Sequence, residues 1–245
     1  MTETVALTYL WRDDHLELLD YCDMTGTAVT VADSWLVDDG RTLAVDLHWQ
    51  RFGESPDGFR EAVEQLIPDA GAWFPRIERH SNGRILVRLR SAPERTRSVT
   101  VATAPVDPRT RPTVKGPDLE AMLRIRTHAQ RVGAEEAIIL HDGYVVEGAY
   151  SALIWWRGSI LCYPALDLER IDSVTARSLI GLATALGVET FAEAVTPPEL
   201  DGVELWALSA LHGARIVTEW VDGPSLAALP GRLELWRKRL TALAR

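Results

Sequence analysis

The chain has 245 residues, 47% of them hydrophobic and 25% charged, and carries a formal net charge of −9. Those values suit an ordinary globular chain of one or two domains and exclude wholesale disorder. The acidic balance argues against a nucleic-acid binder built on a phosphate-neutralising surface, and no apolar run approaches the roughly 18 residues that a membrane span needs. The opening MTETVALTYLWRDD has early acid and no basic stretch ahead of an apolar core, so no signal peptide is expected and a cytoplasmic location is the default. Cys22 and Cys162 are too few and too far apart for a disulfide scaffold or a Cys-rich zinc site.

In chain order, residues 4–12, 15–20 and 28–37 cluster or alternate apolar residues and read as strands. Residues 41–52 and 56–67 read as helices, with Leu43, Leu47 and Trp49 marking one apolar face and Phe59, Val63 and Leu66 another. Three strands are expected at 73–79, 84–90 and 97–103, with HSNG (80–83) as a hairpin turn. In APVDPRTRPTV (104–114), Pro105, Pro108 and Pro112 forbid regular pairing. The organisation expected is therefore an N-terminal domain over 1–103, a linker over 104–114 and a C-terminal domain over 115–245.

Past the linker, Asp118 is placed to cap a helix running to about Arg131, which Gly133 closes. Short strands follow at 137–140, 144–148, 152–156 and 160–163, the spacing of a meander or barrel. A helix over 172–186, strands at 188–195, 203–208 and 214–221, and a helix over about 231–244 complete the chain. Trp155 and Trp156 are adjacent on one strand and must point to opposite sides, so one of them needs a second apolar surface: the other domain, a helix layer or a partner subunit.

Of the 26 basic residues, 24 are arginine and only Lys115 and Lys238 are lysine. A chain that uses arginine for generic positive charge keeps lysine where an amine is needed, because a desolvated lysine can form a Schiff base and a guanidinium cannot. Lys238, flanked by Arg237 and Arg239, reads as a solvated charge, which leaves Lys115. There is no GxxxxGK[ST] loop, GxGxxG turn or GxSxG elbow, and the six histidines show no paired-ligand spacing, so no metal site is expected. Seven arginines lie between Arg76 and Arg97; in RILVRLR the alternation of Arg84, Arg88 and Arg90 with Ile85, Val87 and Leu89 reads mainly as the solvated face of a half-buried strand.

From Lys115 to the DSVTAR segment (172–177), the order of elements resembles the class IV aminotransferases, the fold-type IV pyridoxal-phosphate enzymes. Lys115 opens the second domain, a helix follows, and then come GAEEA (133–137), Asp142-Gly143 and VVEG (145–148). Upstream, LHWQRF (47–52) resembles the family's H-x-x-R-[LF] helix. The resemblance implies an α+β fold of two domains, an N-terminal α/β sandwich and a C-terminal pseudo-barrel with helices. It further implies pyridoxal 5'-phosphate as cofactor, held by Lys115 as an internal aldimine, with Lys115 then shuttling protons. Glu147 is implied to face the pyridine nitrogen, Arg51 to grip the phosphate, and Val174 and Thr175 to add a helix start to the phosphate site. Ser209 and Ala210 correspond to the family's phosphate-side loop.

The chain departs from the common pattern at Ala152, at Ser173 and in LSALHGARIV (208–217). The loop SAL-x-G-x-R-x-V (209–217) resembles that of 4-amino-4-deoxychorismate lyases, with Ser209 where they carry Asn. This implies elimination of pyruvate from aminated chorismate to give 4-aminobenzoate, with His212 and Arg215 on the substrate side. An amino-acid transaminase on an α-keto acid is the alternative, and a non-catalytic member keeping only the fold is a second. A small amino or carboxylate substrate and a homodimer, with each site between two domains and partly walled by the neighbouring subunit, complete what the resemblance implies.

Overall fold

The computed structural model describes residues 6–19 and 27–245; Thr4, Val5, Asp20 and Cys22, which figure in the sequence reading, lie outside that range. The chain divides into two compact units. The first runs up to Arg95 and recruits Lys115–Pro117 and Leu243–Arg245, and the second holds Thr96–Val114 and Asp118–Ala242.

The first unit is an antiparallel sheet under two helices. Its strands are β1 (Leu7–Arg12), β2 (His15–Leu18), β3 (Val29–Ser34), β6 (Arg76–His80) and β7 (Ile85–Leu89), in the order β2-β1-β7-β6-β3. A short pair, β4 (Val37–Asp38) and β5 (Ala72–Trp73), stands apart from it. Alternation sends Ile77, Ile85 and Val87 to one side. There α1 (Val45–Phe52) and α2 (Phe59–Leu66) lay down Trp49, Phe52, Phe59 and Val63, closing an aromatic-rich core with Trp35. The helix expected from residue 41 begins only at Val45, because Asp38 and Arg41 exchange backbone hydrogen bonds and Ala44 sits in the left-handed region with φ 47°.

The second unit is a curled eight-stranded sheet. It contains β8 (Ser98–Thr103), β9 (Glu136–His141), β10 (Tyr144–Gly148), β11 (Ala152–Arg157), β12 (Ile160–Pro164), β13 (Thr190–Glu193), β14 (Glu204–Ser209) and β15 (Gly213–Val221). Their order is β10-β9-β8-β15-β14-β11-β12-β13. Strand β8, expected with the N-terminal domain, pairs in parallel with β15 and β9 and so belongs to this sheet. The curl brings the ends together, since the Val145 N–H donates to the Val195 carbonyl at 2.8 Å. The inside is filled by residues such as Val99, Ile138, Leu153, Leu205 and Val217. Helix α3 (Leu119–Arg131) covers Ala102, Ala137 and Ile139 with Met122, Ile125 and Ala129, and α4 (Val174–Ala185) and α5 (Pro230–Thr241) complete the unit.

Trp155 and Trp156 both find their surfaces here. Trp155 is fully buried inside the curl and donates from Nε1 to Glu193 Oε1 at 2.6 Å. Trp156 faces the other way, 5.6 Å from the Trp206 ring and 5.4 Å from Trp236 of α5. The helix layer is thus the second apolar surface, and the pair offers no argument for a partner subunit.

Candidate active site

In the first unit the site begins with an acid in an apolar strand. Asp33 of β3 has no exposed surface, and its carboxylate is saturated with donors. Oδ1 accepts from the Ser34 N–H at 2.6 Å and from Arg51 Nη2 at 2.7 Å, with His48 Nδ1 at 3.0 Å, and Oδ2 accepts from Arg51 Nε at 2.7 Å. His48 and Arg51 reach the same acid because they lie three residues apart on α1 and share a face. Burial alone would raise the Asp33 carboxyl. The hydrogen bonds from His48 and Arg51 and the positive charge of Lys115 outweigh it and hold the group well below the usual carboxylate range. The same burial pushes the His48 imidazole down, so it stays neutral.

Lys115 is pinned to this unit by its backbone. The Ala32 N–H donates to the Lys115 carbonyl at 2.7 Å, and Gly116 follows with φ 143° directly against β3. A Cβ on Gly116 would come within 2.8 Å of Val31 Cα, so only glycine admits this approach. The residue that looks like the end of a linker is thereby fastened beside the Asp33 network, whose carboxyl feels its charge.

In the second unit the site is built around Glu147, 5% exposed on β10. Oε1 accepts from Arg109 Nη1 at 2.8 Å and Oε2 from the Ile171 N–H at 3.3 Å. Arg109 is shared with Asp107, which takes its Nε and Nη2 at 2.8 Å each. Burial pushes the Glu147 carboxyl up to about 7, only partly opposed by Arg109, the Ile171 amide and Arg170. Arg109 stays firmly protonated: burial opposes its charge, but the two acids more than offset that.

The proline-rich stretch is therefore a built loop. Asp118, expected to cap α3, makes no side-chain cap to that helix. It accepts instead from the Thr110 and Arg111 N–H groups and the Thr110 hydroxyl. Arg109, Asp107 and Asp33 were not singled out in the sequence, and His48 entered only as the histidine of the H-x-x-R-[LF] resemblance, with no role given to it. The signal available for Asp33 was an isolated acid in the apolar run AVTVADSWLV.

The remaining expected residues also lie in the second unit. Val174 and Thr175 are buried in the first turn of α4, where Ser173 Oγ caps the Ala176 N–H at 3.3 Å. The earliest N–H groups of that helix have no intrahelical acceptor, which favours an anion. Ser209 ends β14, and its hydroxyl accepts from the His212 N–H at 3.2 Å across the hairpin that contains Ala210. His212 Nδ1 in turn accepts from the Thr96 N–H at 3.1 Å. The segment 208–217, which the resemblance names as a loop, is the end of β14, a tight turn and the start of β15, in keeping with the strands expected at 203–208 and 214–221. Arg215 consequently sits within β15, 6% exposed, with burial lowering its pKa and the charge of Glu136 opposing that.

Taken one by one, these side chains have the chemistry that pyridoxal phosphate calls for: an amine and a guanidinium in the first unit, and a buried acid and a helix start in the second. The fold and these side chains thus define a two-unit α+β protein that carries the chemical groups such a cofactor calls for. The sequence model of class IV aminotransferases matches residues 30–220, and the chain belongs to that family of pyridoxal-phosphate-dependent enzymes. No curated protein matches the sequence. Among solved structures, a fold IV transaminase from Curtobacterium pusillum superposes with TM-score 0.80 at 20% identity, covering 97% of each chain. A hypothetical aminotransferase from Mycobacterium tuberculosis, bound to α-ketoglutarate and PMP, gives 0.81 at 22% identity over 97% of this chain and 98% of that one. A Legionella pneumophila protein described provisionally as a 4-amino-4-deoxychorismate lyase gives 0.74 at 14% identity over 86% and 90%.

Proposed function

We propose that this class IV enzyme is a lyase of the 4-amino-4-deoxychorismate type, releasing pyruvate and 4-aminobenzoate. The observation that carries the reading is the Ser209–Gly213 hairpin, whose SAL-x-G-x-R-x-V sequence departs from transaminases toward such lyases and which is fixed internally by the Ser209–His212 and His212–Thr96 hydrogen bonds. The likeness to the Legionella protein is in keeping with it.

Pyridoxal phosphate, when bound, supplies an electron sink for the bond that breaks. In this reading the Lys115 amine holds the cofactor and then carries protons between substrate atoms. Glu147, with its carboxyl near neutrality, holds the proton at the ring nitrogen. Arg51, aligned by Asp33, and the Val174–Thr175 turn, with Ser209 and Ala210, receive the phosphate. His212 and Arg215 are the substrate-side residues, Arg215 from its buried place in β15. The active species is a homodimer in the cytoplasm; a stable monomer with full activity in sedimentation would overturn that part.

The decisive experiment supplies aminodeoxychorismate without any keto acid. Pyruvate should appear catalytically, and an absolute requirement for a keto-acid acceptor would replace the lyase by a transaminase, the second reading, which the likeness to the α-ketoglutarate-bound Mycobacterium structure favours. Borohydride should fix the cofactor onto Lys115, and Lys115→Ala should lose both that adduct and turnover, with Lys115→Arg no better. Cofactor fixed at any other lysine would overturn the role given to Lys115.

A further inference from the structure

Helix α5 does more than cover the second sheet. Leu233, Trp236 and Leu240 recur at helical spacing and are buried, which turns one side of the helix onto the strands. Two arginines work from that side. Arg232 lies 3.2 Å from Glu204 Oε2, at the start of β14, and 4.7 Å from the Trp156 ring. Arg237 reaches the other end of the same strand, where β14 turns into β15. It stands in the run Arg237-Lys238-Arg239, yet its guanidinium is turned inward to the backbone.

Arg237 Nη1 donates to the His212 carbonyl at 2.8 Å and also to the Ala214 carbonyl. Those carbonyls stand on either side of Gly213, which turns the chain at φ 66° and pairs with Ser209. The hairpin is held from two further directions: the His212 N–H donates to Ser209 Oγ at 3.2 Å, and the Thr96 N–H to His212 Nδ1 at 3.1 Å. Bonds from a charged donor are roughly twice as strong as neutral ones, so Arg237 is the firmest of the three braces. The amides of Ala210 and Leu211, at the tip, meet no acceptor among the described residues. A hairpin with unused amides at its tip, and with the carbonyls that follow tied to a guanidinium, is set to donate to an anion.

We propose that Arg237 is a positioning residue: from α5 it fixes the Ser209–Gly213 hairpin in the conformation that receives the cofactor's phosphate. The proposal rests on the reading that Ser209 and Ala210 receive that phosphate, and adds the residue that holds them in place. Its action runs through the hairpin backbone and not through bulk positive charge.

Calorimetry on the cofactor-free protein tests it with pyridoxine 5'-phosphate and pyridoxine. These differ by the phosphate and lack an aldehyde, so their binding needs no bond to Lys115. The wild type should favour the phosphorylated ligand. Arg237→Met should weaken that ligand about tenfold while pyridoxine stays within about twofold. Arg237→Lys, which keeps the charge but replaces the planar fork by a point donor, should lose about threefold, and it serves if the Met variant fails to fold. Arg97, whose exposed pair with Glu234 also joins α5, gives the control. Arg97→Gln removes a positive charge beside the helix but no hold on the hairpin, and should shift neither ligand by more than about twofold.

A phosphate preference that survives intact in a folded Arg237 variant, or a parallel loss of both ligands, overturns the proposal. An equal loss in Arg97→Gln overturns it as well, because charge alone would then account for the effect. Ala210→Asp, which sets a carboxylate at the tip, separates this from the functional reading, since it should abolish the phosphate preference. If the preference persists there, the phosphate is not received at the hairpin, and that reading falls together with the proposal. If Ala210→Asp abolishes it while Arg237→Met changes nothing, the reading stands and only the role of Arg237 falls.

Discussion

Asp33 and Glu147 are both buried carboxylates bonded to an arginine, yet one is held far down the carboxylate range and the other is pushed up to about 7. Burial acts in the same direction on both. The difference lies in the donors. Asp33 has both Nε and Nη2 of Arg51, the Ser34 amide and His48, all at 3.0 Å or less, with the charge of Lys115 added. Glu147 has one N–H of an arginine whose other donors serve Asp107 and the Glu169 carbonyl, and one amide at 3.3 Å. Saturation makes Asp33 a fixed charge that aligns Arg51, whereas partial satisfaction leaves Glu147 able to exchange a proton near neutral pH. One unit carries a permanent anchor and the other a tunable acid.

The largest expected effect follows from that difference. Glu147→Gln keeps size and removes the exchangeable charge, so turnover should fall by about 10²–10⁴ while cofactor affinity largely survives. Unchanged turnover would mean that the acid plays no part in the chemistry. Asp33→Asn comes next. Depriving Arg51 of a buried carboxylate should cost about 3–5 kcal/mol of stability at neutral pH, read from denaturant melts. Since the Asp33 carboxyl is depressed in the folded state, its contribution is present above the ordinary carboxylate value and is lost as pH falls. The variant and the wild type should therefore converge in acid, and a gap that persists undiminished there would break the contrast from the Asp33 side.

Glu147 should show the opposite sign. Its folded value is raised from 4.5 to about 7, so the protonated acid favours the fold. That contribution is fully present below about 4.5 and lost as pH rises through 7, amounting to about 3 kcal/mol in the cofactor-free protein. Cofactor-free Glu147→Gln should accordingly be more stable than wild type at pH 8 and equal to it at pH 4. Parallel stability profiles of the two proteins across that range would remove Glu147 from the comparison.

Much of this was legible in the chain. Lys115 stood out because arginine fills nearly every other cationic position, and VVEG placed Glu147 on a strand that the structure finds at the expected residues. The partners were not legible. Arg109 meets Glu147 across 38 positions, and Asp33 meets Arg51 across 18, distances over which local periodicity carries no information. The same holds for β8, whose alternating SVTVAT fits either sheet; only its pairing with β15, more than 100 residues on, assigns it to the second. Arg88 shows the converse limit, because alternation identifies which face a residue takes but not that a buried acid, Glu78, stands 3.0 Å from its guanidinium there.

The smallest expected effect probes why Glu147 is under-satisfied. Asp107 draws two of the Arg109 donors to itself and places a second negative charge near Glu147. Replacing it by Asn should release Arg109 toward Glu147 and remove that repulsion. Both changes favour the ionised form, so both lower the Glu147 midpoint. Asp107 is partly exposed and screened by solvent, which limits the change to about half to one pH unit. Carboxyl NMR of the cofactor-free protein would follow the midpoint directly, and the pH-stability profile should move down with it. A midpoint that stays at about 7 in Asp107→Asn would mean that burial alone sets the acid and that the sharing of Arg109 is incidental.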